Sequence, residues 1–387
     1  MRFPPAARLS ELPPYLFAQL DKLKQERLAA GGDVIDLGIG DPDLPTPEPV
    51  IDALCAAARD SANHRYPSYI GMAALRESMS RWLKRRFGVD ADPREEIITL
   101  IGSKEGIAHL PLALMNPGET ALVPDPGYPV YYGGVVLAGG KPETIPLEAA
   151  NAFRPDLSRI DPAKADEARI LYLNYPNNPT SATADRAFFA EAVAFAREHR
   201  LLVCNDASYC EIYLDDTPPP SILEIEGASE LAVEFHSLSK PFNMTGWRVG
   251  FAVGSAQVIQ ALGSLKTNVD SGQFQAVQCA AVHALDAGDD HVRRMREIYR
   301  KRWDILAGGL DGTGLEIFPG GATFYCWVKV PGGRKSIDFS GYLLEKADVV
   351  VTPGSGFGAA GEGYFRMTLT VPEGRLAEAA ERIGKVL

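Results

Sequence analysis

SLSKPFNMTGWRVGF, residues 237–251, sets one lysine, Lys240, among small hydroxyl residues and an arginine, Arg248, a short way beyond it. An amine whose proton is suppressed by desolvation or by a nearby cation attacks carbonyls and forms Schiff bases. Ser237 and Arg248 suit a phosphate, the arginine through a planar fork of donors that matches phosphate oxygens. Gly246 lets the backbone turn tightly between them. Read alone, Lys240 is better taken as an ordinary solvated lysine. Read as chemistry, the stretch fits a phosphorylated aldehyde held covalently on Lys240.

Three further elements stand at the ends of apolar runs. IGSKEG, residues 101–106, follows Ile97–Ile101 and opens a helical stretch. Backbone amides at a helix start, with a glycine allowing close approach, make a phosphate site, though the same letters also read as a serine N-cap with Glu105 in the first turn. NYPNNPT, residues 174–180, ends the Ile170–Leu173 run. Asn-Pro pairs favour tight loops, and a parallel sheet puts its ligands beyond the carboxyl ends of its strands, where this loop falls. NDASYCEIY, residues 205–213, follows Leu201–Cys204. An aspartate closing an apolar strand is costly unless it is paired.

Strand-like runs at Ile97–Ile101, Ala121–Val123, Ile170–Leu173, Leu201–Cys204, Ala232–Phe235 and Val249–Val253 are separated by helical patterns such as 72–87 and Arg186–His199. This alternation predicts an α/β fold with a mostly parallel sheet covered on both faces. VIDLGIG, residues 34–40, reads as a short strand running into a glycine loop. The last third changes character: helices over roughly 256–309, a β-rich run at Thr323–Val330, a helix, a strand at Asp348–Thr352, the run Tyr364–Thr370 and a closing helix. That order predicts a smaller α+β domain built from 1–44 and 271–387, packed on a large domain over 45–270.

With 387 residues, 46% of them hydrophobic and 23% charged, the chain has the make-up of an ordinary globular protein with a large core. A net charge of -11 argues against nucleic acid as the main partner, since affinity there rests on cations set against phosphates. A small anionic ligand is still admitted by a local cluster of donors. The five cysteines lack C-x-x-C spacing and read as free buried thiols, not as a disulfide frame or a zinc site. The six histidines show no metal-ligand spacing, and no P-loop string occurs. With no signal-peptide pattern and no apolar run of about 18 residues, the expected location is the cytoplasm, away from membranes.

Taken together in this order, these elements resemble the fold type I aminotransferases of the aspartate aminotransferase superfamily, which bind pyridoxal 5′-phosphate. The resemblance runs from about Asp33 to the C-terminus. It implies a seven-stranded mixed sheet, a homodimer with shared active sites, and ping-pong transfer of an amino group between an amino acid and a 2-oxo acid. Lys240 would hold the cofactor and shuttle the proton. Ser103, Lys104, Ser237, Ser239 and Arg248 would take its phosphate, and Lys104 is a weaker rival for the Schiff base because no arginine follows it. Asn178 and Tyr209 would bond the ring oxygen, Asp206 the pyridine nitrogen, and Tyr128, in DPGYPVY, would stack on the ring. Tyr66, in RYPSYIG, would reach the neighbouring subunit's phosphate, and Arg366, in YFRMTLT, would grip the substrate α-carboxylate.

Within that superfamily, PPYLFAQL at 13–20, DLGIGDPDLPTP at 36–47, HRYPSYIGM at 64–72, TLIGSKEGIAHLPLALMNPGE at 99–119 and Asn268 in KTNVDSG are similar to the LL-diaminopimelate aminotransferases of lysine biosynthesis. That likeness implies substrate contacts from Tyr15 and Gly40 and a cross-subunit contact from Asn268. One departure stands out. Such enzymes often carry a glutamate after the Tyr66 position that meets the substrate's distal ammonium, and this chain has no carboxylate between Tyr66 and Gly71. An alanine or aromatic aminotransferase and a carbon-sulfur β-lyase share the same cofactor constellation. A fourth possibility, the ligand-sensing half of a transcription regulator, lacks both the upstream DNA-binding domain and the basic charge it would need.

Overall fold

The computed structural model describes residues 3–12 and 18–387. Among the described residues, twelve strands follow in chain order: β1 Ile35–Asp36, β2 Ile97–Leu100, β3 Thr120–Asp125, β4 Lys141–Pro146, β5 Ala168–Leu173, β6 Leu202–Asp206, β7 Ala232–Ser237, β8 Gly250–Gly254, β9 Tyr325–Lys329, β10 Val349–Val350, β11 Thr352–Pro353 and β12 Tyr364–Thr368. Seven of them form one sheet in the order β2-β8-β7-β6-β5-β3-β4. Every pair in it is parallel except the two made by β8, which runs against both β2 and β7.

The six expected runs all lie in that sheet. The seventh strand, β4, is KPETIP, and its charges and two prolines gave no strand pattern. Proline is tolerated there because β4 is an edge strand with only one partner. The single strand expected at Asp348–Thr352 is instead two short ones that serve different sheets. β10 pairs with β1, and β11 joins β12 and β9.

Local sequence accounts for the covering helices. In Ala73–Phe87 the buried side chains Leu75, Met79, Trp82 and Leu83 recur at helical spacing, with Arg81, Lys84 and Arg85 turned to solvent. The helix stops at Gly88, whose positive φ of 72° lets its amide bond back to Lys84 O. Lys84, Arg85 and Arg86 in its last turn complement the partial negative charge of the carbonyl end. The buried ring of Trp82 then meets Phe87, His236 and Phe251 edge-on at 5.4, 5.1 and 5.9 Å, locking this helix to the sheet.

The helix Gln275–Ala287 packs on Glu48–Arg59 and Ala73–Phe87 and shares their apolar cluster. The next helix, Asp289–Gly309, sends Met295, Tyr299 and Leu306 into the second core with β9 and β12. This packing favours a boundary at Gly288 over the expected one after residue 270, and we propose the later division. All five cysteines are free, as expected, but only Cys204, Cys210 and Cys326 are buried; Cys55 is exposed and Cys279 is half-buried.

Arg302 ties the long helix to the loop after β1. Its guanidinium donates to Asp43 Oδ1 and Oδ2 at 2.7 and 2.8 Å and to Leu369 O at 2.9 Å. Removing one member of a buried pair strands the other charge, so Asp43→Ala should cost about 3 kcal/mol in denaturant unfolding. Replacing both, as Asp43→Leu with Arg302→Met, should cost less than the sum of the single changes in a double-mutant cycle.

Candidate active site

The carboxyl ends of β2, β3, β5, β6 and β7 lead into Ser103, Tyr128, Asn178, Asp206 and Lys240. β8 runs the other way, so the residue shortly before its start, Arg248, comes to the same edge. Together with Lys104, Tyr209, Ser237, Ser239, Gly40 and Arg366 they line one cleft of about 420 Å³. Two residues expected to act in the neighbouring subunit's site lie on the surface away from this cleft, and a third expected residue lies outside the described ones. Tyr66 is 89% exposed and does not line this cleft. Asn268 is also exposed and donates to Ser264 O within its own helix. Tyr15 lies outside the described residues.

Asp206 closes β6 and is buried. Its carboxylate accepts from Ser208 N at 3.1 Å, Ser208 Oγ at 2.6 Å and Tyr131 Oη at 2.8 Å. Burial nevertheless lifts its pKa above the usual carboxylate range, against the pull of those bonds. A cationic ring N–H in the cleft would hold the charge that burial disfavours. Tyr131 was absent from the expected set although it follows Tyr128 in the same proline-bounded run. Tyr128 presents its ring to Lys104, whose Nζ lies 5.7 Å from the ring centre. Asn174, also unexpected, donates to Asp206 O at 2.7 Å and accepts from Asn178 N at 2.8 Å, fixing the loop after β5.

The anion end is built largely from backbone. Gly102 has φ 78°, and a Cβ there would stand 2.3 Å from Arg248 Nη2. A Cβ on Gly250 would stand 2.7 Å from Ser103 N. Both glycines therefore let the guanidinium and the start of the helix Ser103–Leu114 meet around one small space. Arg248 is itself held in a left-handed turn by a 2.8 Å bond to Thr245 O. Behind this cup, Glu105 accepts from Ile101 N at 2.9 Å and faces Lys266 Nζ at 3.4 Å, and Lys266 bonds Asp270 at 2.7 and 2.9 Å. Lys266 is fully buried, so Glu105 and Asp270 supply the partners that water cannot reach it to provide.

At the opposite end Arg366, on β12, donates to Asn178 Oδ1 at 2.7 Å and to Gly38 O at 2.9 Å. Its guanidinium lies 4.0 Å from the centre of the Tyr325 ring, and its buried Nε has no hydrogen-bond partner. Tyr325 shares a 2.9 Å hydrogen bond with Tyr209 Oη. Nothing in the local sequence marks Tyr325; its importance comes from the second core carrying it into the cleft. Burial and its tyrosine neighbour push the Tyr209 hydroxyl pKa well up, so it stays a proton donor. Lys240 Nζ reaches Gly40 O at 3.4 Å, and a Cβ on Gly40 would collide with the Tyr325 hydroxyl at 2.0 Å.

The arrangement is thus an amine between a buried carboxylate, an anion cup and a guanidinium with a spare donor. The sequence pattern of the aminotransferase class I and II family matches residues 32–383, and the chain belongs to this family. It is a transaminase whose cofactor is pyridoxal 5′-phosphate, and the buried acid, the glycine-lined cup and the free guanidinium donor fit that group and an amino-acid substrate. The LL-diaminopimelate aminotransferase of Aquifex aeolicus is 54% identical over 376 residues, covering 97% of each chain. That of Syntrophobacter fumaroxidans is 53% identical and covers both chains fully. Among solved structures, substrate-bound BacF from Bacillus subtilis superposes with a TM-score of 0.95 at 38% identity, over 100% of this chain and 98% of that one.

The raised Asp206 pKa sets a sign for stability. In cofactor-free protein its contribution is fully present below the unfolded value of about 3.9 and is lost as pH rises through the higher folded value. Asp206→Asn should therefore melt above the wild type at pH 7 when both are free of cofactor, and the gap should close towards pH 4. The same change should weaken cofactor binding by roughly 10- to 100-fold in a fluorescence titration, the worth of a charge-assisted hydrogen bond.

Proposed function

We propose that the protein transfers an amino group from LL-2,6-diaminopimelate to 2-oxoglutarate, or the reverse, in lysine biosynthesis. The observation that carries the chemistry is the convergence of Lys240, Asp206 and Arg366 on one cleft. The substrate rests on the likeness to the diaminopimelate enzymes over nearly the whole chain. When bound, the cofactor supplies a conjugated ring that takes up the electron pair left as the substrate Cα loses its proton. Asp206 would pair with the ring nitrogen, Asn178 and Tyr209 would bond the ring oxygen, Tyr128 would lie against the ring, and Ser103, Lys104, Ser237, Ser239 and Arg248 would hold the phosphate.

Arg366 takes the substrate's α-carboxylate through the donors that Asn178 and Gly38 leave free, which fixes the Cα–H bond relative to Lys240. Lys240 would then accept the Cα proton as base and, as acid, hand it on to the far side of the substrate nitrogen. Water would supply the oxygen of the departing 2-oxo acid, the amino group would stay behind, and a second 2-oxo acid would take it up by the same steps in reverse.

We further propose a cytoplasmic homodimer in which Tyr66 and Asn268 act in the neighbouring site. The Tyr66 loop packs against the start of the helix Gln275–Ala287, which follows the Asn268 helix: Gln275 Nε2 donates to Arg65 O at 3.2 Å, and the His64 and Phe274 rings lie 6.3 Å apart. Tyr66, Tyr69, Val269 and Phe274 are all exposed apolar side chains of this region. A surface of that kind favours burial against another chain.

The cofactor-loaded protein, mixed with LL-diaminopimelate and no keto acid, should lose its visible absorption and gain a near-ultraviolet band. Alanine and glutamate should do this only at much higher concentration. Conversion by alanine alone would leave an aminotransferase with a different donor. Lys240→Ala should lower turnover by about 10²–10⁴-fold or more, and unchanged multiple turnover in that variant would remove Lys240 from the mechanism.

A further inference from the structure

The anion cup has two walls that arrive from opposite directions. One is the turn 101–103 beyond β2, and the other is Arg248, just before the antiparallel β8. The first wall turns at Leu100, whose carbonyl accepts from Gly102 N at 2.8 Å. In the second, Arg248 stands at φ 57° and ψ 54°, a left-handed backbone that a non-glycine residue keeps only where its neighbours enforce it. A phosphate that meets the amides of the helix start and the guanidinium together needs these walls at one fixed spacing.

Gln273 reaches both walls from behind. Its side chain is buried and is not part of the cleft lining. Its Nε2 donates to Leu100 O and also to Arg248 O, the second bond at 3.2 Å. Both partners are carbonyls, so only the NH₂ side of the amide can face them, and its two hydrogens serve one wall each. Gln273 is itself pinned. Its backbone carbonyl accepts from Gln278 Nε2 at 2.9 Å, and Gln278 Oε1 accepts from Met72 N at 2.8 Å. On its other side, Asp270 accepts from Gly272 N at 2.7 Å while pairing with the buried Lys266. The side chain that spans the walls therefore starts from a backbone held at both ends.

We propose that Gln273 is a positioning residue for the cofactor phosphate, setting the distance between the start of the helix Ser103–Leu114 and the Arg248 guanidinium. This rests on the reading of the cup as the phosphate site. Without the amide, Arg248 O loses its bond to the segment behind it, and the left-handed residue is free to relax away from the helix start. The ring end of the cleft is fixed by other bonds, those of Tyr131 and Ser208 to Asp206 and of Asn174 to Asn178, so the loss falls on the phosphate and not on the ring.

The test titrates the cofactor-free protein with pyridoxal 5′-phosphate and, separately, with pyridoxal, which has the same ring and aldehyde but no phosphate. Gln273→Met keeps the side-chain length and removes both donors. It should weaken pyridoxal 5′-phosphate binding roughly 10- to 100-fold and leave pyridoxal within about twofold. Inorganic phosphate should protect the variant's cup from pyridoxal 5′-phosphate less well by a similar factor. In an Arg248→Met background the same change should add about twofold or less, because the group it positions is gone. An equal loss for both ligands would make Gln273 a general brace and overturn the proposal, as would unchanged affinity or full additivity with Arg248→Met. Gln278→Met, which loosens Gln273 one step further back, should shift the ratio of the two affinities in the same direction by less. If Gln273→Met does not fold, an unchanged ratio in a folded Gln278→Met protein overturns the proposal. A wild type that binds pyridoxal as tightly as pyridoxal 5′-phosphate overturns the reading of the cup itself.

Discussion

A parallel sheet delivers the carboxyl ends of its strands to one edge, and the chemistry of this protein depends on that constraint. Side chains separated by more than a hundred residues in sequence become neighbours because β2, β3, β5, β6 and β7 all stop there. The one reversed strand, β8, extends the same logic, since its entry end lies where the others exit. Arg248 reaches the anion cup only because β8 enters there, and Gly102 and Gly250 are glycines because any side chain would fill the cup.

Placing so many polar groups at the end of a buried sheet leaves charges with little water, and the structure answers with pairing. Lys266 lies between Glu105 and Asp270 behind the cup. Glu211, two residues past Tyr209, accepts from Arg86 Nε at 2.7 Å and Arg296 Nη1 at 3.2 Å, so helices from both cores hold the segment that carries Tyr209. Arg302 clamps the loop after β1 through Asp43. None of these groups touches the cleft, yet each fixes an element that lines it, which is how a site assembled from many loops keeps its geometry.

The second core contributes what the sheet edge lacks. Arg366 and Tyr325 arrive on β12 and β9, neighbours in the three-stranded sheet. Stacking of the guanidinium on Tyr325 and the Tyr325–Tyr209 hydrogen bond join the two halves of the cleft directly. Through Gly38, the same arginine is linked to Asp36 and Lys24. The substrate end of the cleft is therefore a property of how two bodies meet, whereas the cofactor end belongs to one sheet.

Local pattern was enough wherever the signal is local. The apolar runs marked six strands of the larger sheet, the loops after them carried Ser103, Asn178, Asp206 and Lys240, and Arg248 could be read from its distance to Lys240. β4 escaped because an edge strand need not be apolar and can hold prolines. The split of 348–352 into two strands escaped because hydrophobicity does not say which sheet a residue joins. Tyr131, Ser208 and Asn174 lay within quoted motifs, but only contact with Asp206 distinguishes them from their neighbours. Tyr325, the Lys24–Asp36 pair and the packing of Gln275–Ala287 had no signature along the chain, since each exists only where distant segments touch. The sequence by itself determined the chemistry at the strand ends, because strand, turn and functional residue follow one another within a few positions. The tertiary structure alone decided which buried groups brace that chemistry and which side chains of the second core reach the cleft, because those depend on through-space pairing that residue order does not encode.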